Sequence, residues 1–420
     1  MNYLSKVTIL IISLFLYSNT ADAQFWKKLK KKAEDAVINK ADKKMDDVLN
    51  GKKGKKQNKS SEKKTKPEKE VINSENTNST SIITDKQKLE LYRNFKFIPG
   101  EKIIFYDDLA YEEIGEFPSK WDLLDGGSEV VAMDDEKAII ITNDYDNVIT
   151  PLFDTTNYLG DEFTIEFDIY IDNLEDVNDW QQLEIYFVGN ITDYKDVISR
   201  RGDIKFNYRK DKISGYIRTD EQKFGLEEVN FGAKNSWHHI AISYYKKKLK
   251  IYHDETRIGN IPNFPTPIKG VAFNLDKPKD NNDENLITAI KNVRIAHGGG
   301  QMYKRILSSG KYMTNGILFD TGKAIIKPQS MGIINKIVSV LKQKKDWNFE
   351  IIGHTDSDGD AKANLKLSKE RADAVKEAIV KLGIKKERLT TLGKGESTPL
   401  NTNSNSIEKA NNRRVEFIRK

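Results

Sequence analysis

From about residue 95 to 297, apolar and polar residues alternate with a period of two. This predicts strands over Lys102–Leu109, Ala138–Thr142, Phe163–Ile171, Leu183–Val188, Ile204–Tyr208, Ile213–Arg218, His238–Tyr245, Leu249–His253 and Val293–Ala296. Phe163, Ile165, Phe167, Ile169 and Ile171 form one face of their strand; Thr164, Glu166, Asp168 and Tyr170 form the other. Turn signals recur at regular spacing without a helical pattern of useful length, which predicts an all-β sandwich over 95–297. Gly298-Gly299-Gly300 marks a break, followed by a connector over 298–314. Over 315–420 the period alternates between strand and helix. Strands are expected at Gly316–Phe319, Phe349–His354, Leu389–Lys394 and Arg414–Arg419. One helix starts near Pro328 and carries Met331, Ile334, Val338 and Leu341 on its face; a second spans Ala361–Leu382 and ends at Gly383. That order, βαβαββ, predicts an α/β sandwich.

The first 94 residues follow neither pattern. Lys6, the apolar run Val7–Leu16 and Ala21-Asp22-Ala23 predict a secretory signal over 1–23. Over 24–50, Phe25, Leu29, Ala33, Val37, Ala41 and Met45 recur every three to four positions opposite lysines, predicting a basic amphipathic helix. Such a helix is either simply solvated or docks on an anionic membrane surface or a partner. Residues 51–94 are rich in Lys, Ser, Asn and Glu and poor in aromatics, the composition of a disordered linker.

Charge follows the same division. Residues 24–70 hold 17 Lys and 8 Asp or Glu, a surplus of +9, while the whole chain is +6. The remainder is therefore slightly acidic, which argues against a nucleic-acid surface on the folded body. Cysteine is absent, so disulfides, thiol catalysis, Cys-ligated zinc and a lipid-bearing N-terminal Cys are excluded. With no further apolar run of 18 residues, the expectation is an exported protein without a transmembrane helix.

Candidate chemistry concentrates between His354 and Arg371. A strand ends in Gly353-His354-Thr355-Asp356, a loop with Gly359 follows, and the next helix carries Asn364, Ser368, Arg371 and Val375 on one face at spacings of 4, 3 and 4. A carboxylate, an amide and a guanidinium thus converge where a strand hands over to a helix. The set suits an amino-acid-like zwitterion, with Asp356 accepting from an ammonium and Arg371 forking onto a carboxylate. It contains no activated nucleophile and no metal-ligand spacing. An Asp356–Arg371 salt bridge that merely orients the loop accounts for the same spacing equally well.

These residues carry a resemblance. Thr355-Asp356-Ser357-Asp358-Gly359, the run Asn364-Leu365-Lys366-Leu367-Ser368-Lys369-Glu370-Arg371-Ala372-Asp373-Ala374-Val375 and Asn412-Arg413-Arg414-Val415 match the motifs of the OmpA-like peptidoglycan-binding domain. Residues 315–420 resemble that domain throughout. The resemblance implies a non-enzymatic protein that binds the diaminopimelate of the peptidoglycan stem, needs no cofactor, and resides in the periplasm associated with the outer membrane. It places Asp356 at the ligand amino group, Arg371 at its carboxylate and Asn364 in support, with Thr355 and Leu365 beside the pocket. Arg413 and Arg414 are expected to brace the fold or line the rim. Family members carry a membrane β-barrel or a lipid anchor, and neither pattern occurs here.

The middle region resembles a concanavalin-type jelly roll of the laminin-G kind, most locally at Trp237-His238-His239-Ile240-Ala241-Ile242-Ser243, a strand followed by a hairpin through Lys246–Lys248. Its partner is expected to be a glycan or an envelope protein, with Trp121, Trp180 or a Tyr as candidate aromatic platforms, although large aromatics more often pack a core or surface. Glu166 and Asp168 begin the carboxylate pattern of jelly-roll glycosidases, but the third acid is missing; a solvated strand face reads the same way. A wall-anchored hydrolase and a secreted adhesin are the competing functions. Asp276, Asp280, Asp283 and Glu284 read as a solvated loop rather than a calcium site, and no metal site is expected. His238, His239, His253 and His297 lack metal spacing and read as ordinary strand or turn residues.

Overall fold

The computed structural model describes residues 96–420 apart from 134–135, 144–146, 156, 175–179, 189–201, 220–221, 233–234, 266, 278–285 and 301. The expected signal segment, basic helix and linker therefore lie wholly outside the described residues, as do three of the four acids of the 276–284 loop.

Two antiparallel sheets of eight strands each form the β-region. The first runs, from one edge, Thr256–Ile261, Lys248–His253, Ser236–Tyr245, Glu162–Ile171, Ala289–His297, Glu136–Ile141 and Ser128–Met133, with Lys102–Asp107 also paired to Ala289–His297. The second runs Lys223–Gly225, Lys212–Thr219, Gly202–Arg209, Gln181–Val188, Gly270–Asp276, Asn147–Pro151 and Trp121–Asp125, with Val229–Asn230 on Lys212–Thr219. One apolar core lies between them. Phe163, Ile165, Phe167, Ile169 and Ile171 are all sealed in it, as the alternation predicts. Each such side chain contributes about 1.5–3 kcal/mol on leaving water. Strand Ser236–Tyr245 turns into Lys248–His253 through Lys246 and Lys247, whose φ of 47° and 69° give the doubly left-handed turn that matches the twist of a hairpin.

Several strands carry no sequence alternation. Asn147–Pro151 is buried at every position and Gly270–Asp276 at every position but its last, so the period that betrays a half-exposed strand is lost. Trp121 takes the packing role and not that of a platform. It is 4% exposed, its Nε1 donates to Asp107 Oδ2 at 2.8 Å, and it meets Phe105 and Phe273 edge to face. It packs the core and offers no platform to a glycan.

The C-terminal region is a four-stranded mixed sheet, ordered Lys311–Thr314, Val415–Arg419, Phe349–Gly353, Leu389–Gly393, with helices between. Helix α1 spans Met302–Ser309, α2 Met331–Gln343, α3 Ala361–Lys381 and α4 Ser406–Asn412. Two differences from the predicted βαβαββ order stand out. The first strand is Lys311–Thr314, where Tyr312 and Thr314 point inward; the expected strand Gly316–Phe319 is a loop with one isolated bridge from Phe319 to Ile326. The sequence pattern does not announce the short helices α1 and α4, since seven or eight residues give too few turns for a readable period. Helix α3 ends as expected: Gly383 takes φ 94° and its N–H returns to Val380.

The outer face of the first β-sheet is covered. Residues 96–101 lie across it, with Phe97 on Ala241 and Tyr252. Helix α2 packs on this segment so closely that a Cβ on Gly332 would fall 1.8 Å from the carbonyl oxygen of Phe97. Helix α4 sets Ile407 and Ala410 against Ile103 and Ala296. Asn411 copies a strand edge there: its Oδ1 accepts from the Ile103 N–H and its Nδ2 donates to the Ile103 carbonyl, each at 3.2 Å.

Candidate functional site

Strand Phe349–Gly353 ends at Gly353, and His354, Thr355 and Asp356 continue from it. Helix α3 begins four residues later, with Asp360 as its cap: the carboxylate accepts from the N–H groups of Lys362 and Ala363. The helix lies directly on the sheet because glycines clear its path. A Cβ on Gly353 would come within 2.1 Å of the Ser368 carbonyl oxygen, and one on Gly393 within 2.5 Å of the Lys369 nitrogen. Ser368 seals the contact, accepting from the Gly395 N–H and donating to the Leu365 carbonyl, both at 2.8 Å. This packing aims Asn364, Leu367 and Arg371 at the loop that carries Asp356.

Asp356, Asn364 and Arg371 line one cavity of about 780 Å³. Asp356 is nearly buried. Its Oδ2 accepts from Arg413 Nη1 at 2.6 Å and its Oδ1 from the Asp358 N–H at 3.2 Å. Asn364 Nδ2 is fully engaged, donating to the carbonyl of Asp358 at 2.9 Å and to Glu396 Oε2 at 2.7 Å, with a longer contact to the Asp356 carbonyl. It therefore shapes the Asp356 loop. Arg371 lies over the ring of Phe319, 4.9 Å from its centroid, and spends only Nε on the protein, donating to the Lys323 carbonyl at 3.0 Å. Its Nη1 and Nη2 have no partner among the described residues. Burial and the neighbouring Arg413 lower its pKa, with Asp356 acting the other way.

The alternative of an Asp356–Arg371 salt bridge is not what forms: Asp356 pairs with Arg413, which the sequence assigns to the rim or to bracing. Arg414 lines the cavity but is tied into the fold, with Nε on Glu416 and Nη2 on the Thr398 carbonyl, both at 2.9 Å. Thr355 is held through its backbone by the Gly395 carbonyl. Leu365 does not reach the cavity. It is 51% exposed, and Leu367 lines the wall instead. The i+3 and i+4 spacing of Leu367 to Asn364 and Arg371 is the signal that would have found it. His354, which also lines the cavity, has its pKa lowered to about 4 by burial and by Arg414.

The opposite wall comes from the β-region: Tyr106, Glu166, Asp168, His239, Asn292 and Arg294 line the same cavity. A solvated strand face is thus not what Glu166 and Asp168 provide. Glu166 is 3% exposed and paired with Arg294 Nη1. Asp168 accepts from Asn292 Nδ2 and bonds His239 Nδ1, each at 2.8 Å. Burial would raise the pKa of Asp168, but these bonds outweigh it and hold the carboxyl low. On His239 burial opposes protonation, while Asp168 and Glu166 prevail and push the pKa up to about 10. A carboxylate so held is a poor general acid, and the glycosidase pattern gains no support from its surroundings. Arg294 Nη2 also donates at 2.6 Å to the Gly100 carbonyl and to Asn315 Oδ1, joining the sheet, the segment 96–101 and the C-terminal region.

Residues 318–413 match the model of the OmpA family. The chain is 42% identical over 100 residues to Outer membrane porin F of Pseudomonas fluorescens, covering 24% of this chain and 31% of that protein. It is 38% identical over 105 residues to the Probable lipoprotein YiaD of Escherichia coli, 25% of this chain and 48% of the relative. It is 32% identical over 102 residues to the Peptidoglycan-binding protein ArfA of Mycobacterium tuberculosis, 24% and 31%. The chain thus spans a third to a half of the length of these curated relatives. Its C-terminal region is an OmpA family domain, preceded by a strand-rich region.

Proposed function

We propose that the OmpA family domain binds peptidoglycan through the amino-acid end of the diaminopimelate side chain. Asp356 receives the ammonium and Arg371 clamps the carboxylate with its two free Nη groups. One observation carries the reading: an acid and a base line a single cavity without pairing with each other, and the base keeps its forked end unspent. A zwitterion fits between them with both its charges matched. Arg413 does not exhaust Asp356, because an ionised carboxylate accepts at about four positions. Asn364, through Asp358 and Glu396, keeps the loop in shape.

The β-region, a sandwich of the concanavalin-like type, is held to the wall by this grip and presents a surface to a glycan or envelope protein. In this reading the protein is a non-enzymatic component of the periplasm, associated with outer membrane and peptidoglycan after export. The name of one relative, a peptidoglycan-binding protein, supports the ligand, and that of another, an outer membrane porin, the compartment.

Retention of the full chain on purified sacculi tests the assignment. Asp356→Ala or Arg371→Ala is expected to weaken binding by about 2–5 kcal/mol, since each leaves one ligand charge buried and unpaired. Equal retention of the wild type and the double variant removes it.

A further inference from the structure

A second cluster of ligand-type atoms, none of whose residues lines the cavity, lies in the β-region. Strands Ser236–Tyr245 and Lys248–His253 pair with Ile240 opposite His253, which makes His238 the diagonal neighbour of His253 on the same face. Their rings stack with centroids 5.1 Å apart and 27° between planes. The turn that follows delivers Asp254 at φ 47°. Its Oδ2 stands 2.9 Å from His238 Nδ1 and 3.3 Å from His253 Nδ1. Its other oxygen is engaged separately, accepting the His239 N–H at 2.8 Å, while the Asp254 N–H donates to the His239 carbonyl at 2.7 Å. The carboxylate is thus clamped with one oxygen presented to two imidazole nitrogens.

The ring nitrogens are engaged unevenly. A neutral imidazole carries a single N–H. His238 Nε2 lies 3.0 Å from Ser236 Oγ, so one ring nitrogen is engaged there while Nδ1 faces the carboxylate. Both histidines are buried, 5% and 2% exposed. His253 Nε2 is buried with no hydrogen-bond partner among the described residues, which leaves Nδ1 as the ring nitrogen in contact. Neutral histidine is the form that ligates metals.

The spacings agree. A tetrahedral shell with bonds of about 2.0–2.1 Å sets neighbouring ligand atoms about 3.3 Å apart, close to the separations of 2.9 and 3.3 Å. Ser236 on the far nitrogen of His238 is the outer contact that fixes a ligand ring and its tautomer. Asp254 is about one-third exposed, which leaves a path in and a position for water. Two imidazoles and one carboxylate suit zinc; calcium prefers an all-oxygen shell.

We propose that His238 Nδ1, His253 Nδ1 and Asp254 Oδ2 are three ligands of a zinc-type divalent ion, which cross-ties two neighbouring strands and the turn after them. No sequence spacing announces it, because His238 and His253 are fifteen residues apart and meet only through strand register.

The test uses the full chain, stripped with a chelator and titrated with Zn²⁺ against a chromophoric competitor. One equivalent is expected to bind. His253→Val and Asp254→Asn are expected to lose it, and Ser236→Ala to weaken it about tenfold. X-ray absorption of the loaded wild type is expected to show nitrogen and oxygen neighbours at about 2.0–2.1 Å with two imidazoles. Because that measurement is made on the wild type, the proposal stays exposed even where a variant fails to fold. Failure of the wild type to bind an equivalent, an absorption spectrum without imidazole, or full retention by folded His253→Val overturns it.

Discussion

Arg413 Nη1 lies 2.6 Å from Asp356 Oδ2, so the carboxylate offered to a ligand already holds one cation. Arg371 faces the same cavity with its fork unspent. Asp356 is thus paired with Arg413 and not with Arg371, whose two Nη groups are left for a ligand carboxylate. With Arg413 so engaged, no second guanidinium of the pair takes over that contact, and Arg371 is the stricter requirement of the two ligand-facing groups.

The consequence is that charge alone does not rescue position 371. Lysine has no Nε–H to hold the Lys323 carbonyl, no plane to lie over Phe319 and no fork for a carboxylate. Arg371→Lys is expected to lose on the order of 2 kcal/mol of binding to a soluble diaminopimelate-containing peptide, approaching the loss for Arg371→Ala. Calorimetric titration of the two variants side by side measures it; near-wild-type affinity of the lysine variant would contradict the forked contact.

Leucines 365 and 367 separate on the same assay. Leu365 is exposed and off the cavity, whereas Leu367 lines it beside Asn364 and Arg371. Leu365→Ala is expected to leave affinity within about 0.5 kcal/mol of the wild type. Leu367→Ala, which strips an apolar wall, is expected to cost about 1–2 kcal/mol.

How much of this was legible depends on how local the signal was. The strand Phe163–Ile171 and helix α3 were readable because half of each faces a core and half does not. Asp356 and Arg371 were readable from one strand end and one helix face. Their relation to Arg413 was not, because it joins residues 57 positions apart. Nor did alternation show that the polar face of Glu166 and Asp168 is a domain contact, since a covered polar face and a wet one have the same period. Arg294, a buried cation on that face, becomes intelligible only when Gly100 and Asn315 are brought to it.

The pH dependence of the C-terminal domain follows from His354. Burial and Arg414 hold its pKa at about 4, below the ordinary 6.5. The folded state therefore binds fewer protons than the unfolded state between these values. This contribution is complete above about 6.5 and is lost as pH falls toward about 4. Urea unfolding followed from pH 7 to pH 4 is expected to show falling stability, and His354→Gln to flatten the slope. An unchanged slope in the variant would assign it to other groups.

Close packing between helix α2 and the segment at Phe97 rests on Gly332. A methyl group there meets backbone, which yields less readily than a flexible side chain. Gly332→Ala is expected to destabilise the folded chain by about 1–3 kcal/mol. Separate unfolding of the β-region and the C-terminal domain, visible as two thermal transitions replacing one, would show that the strain is released by undocking.

The buried pair of Arg294 and Glu166 decides whether the two regions act as one body. Both are under 5% exposed, and Arg294 also bonds Gly100 and Asn315, so its removal strands a carboxylate and two acceptors at once. Arg294→Met is expected to cost about 3–5 kcal/mol, the scale for breaking a buried pair from one side. Glu166→Gln in the Arg294→Met background removes the stranded charge and is expected to recover part of that loss. The double-mutant cycle is read by chemical denaturation, with protease sensitivity of the connector at 298–300 as a second signal. Additive effects within about 0.5 kcal/mol would show that the two side chains do not couple, and that the β-wall of the cavity is held by other contacts.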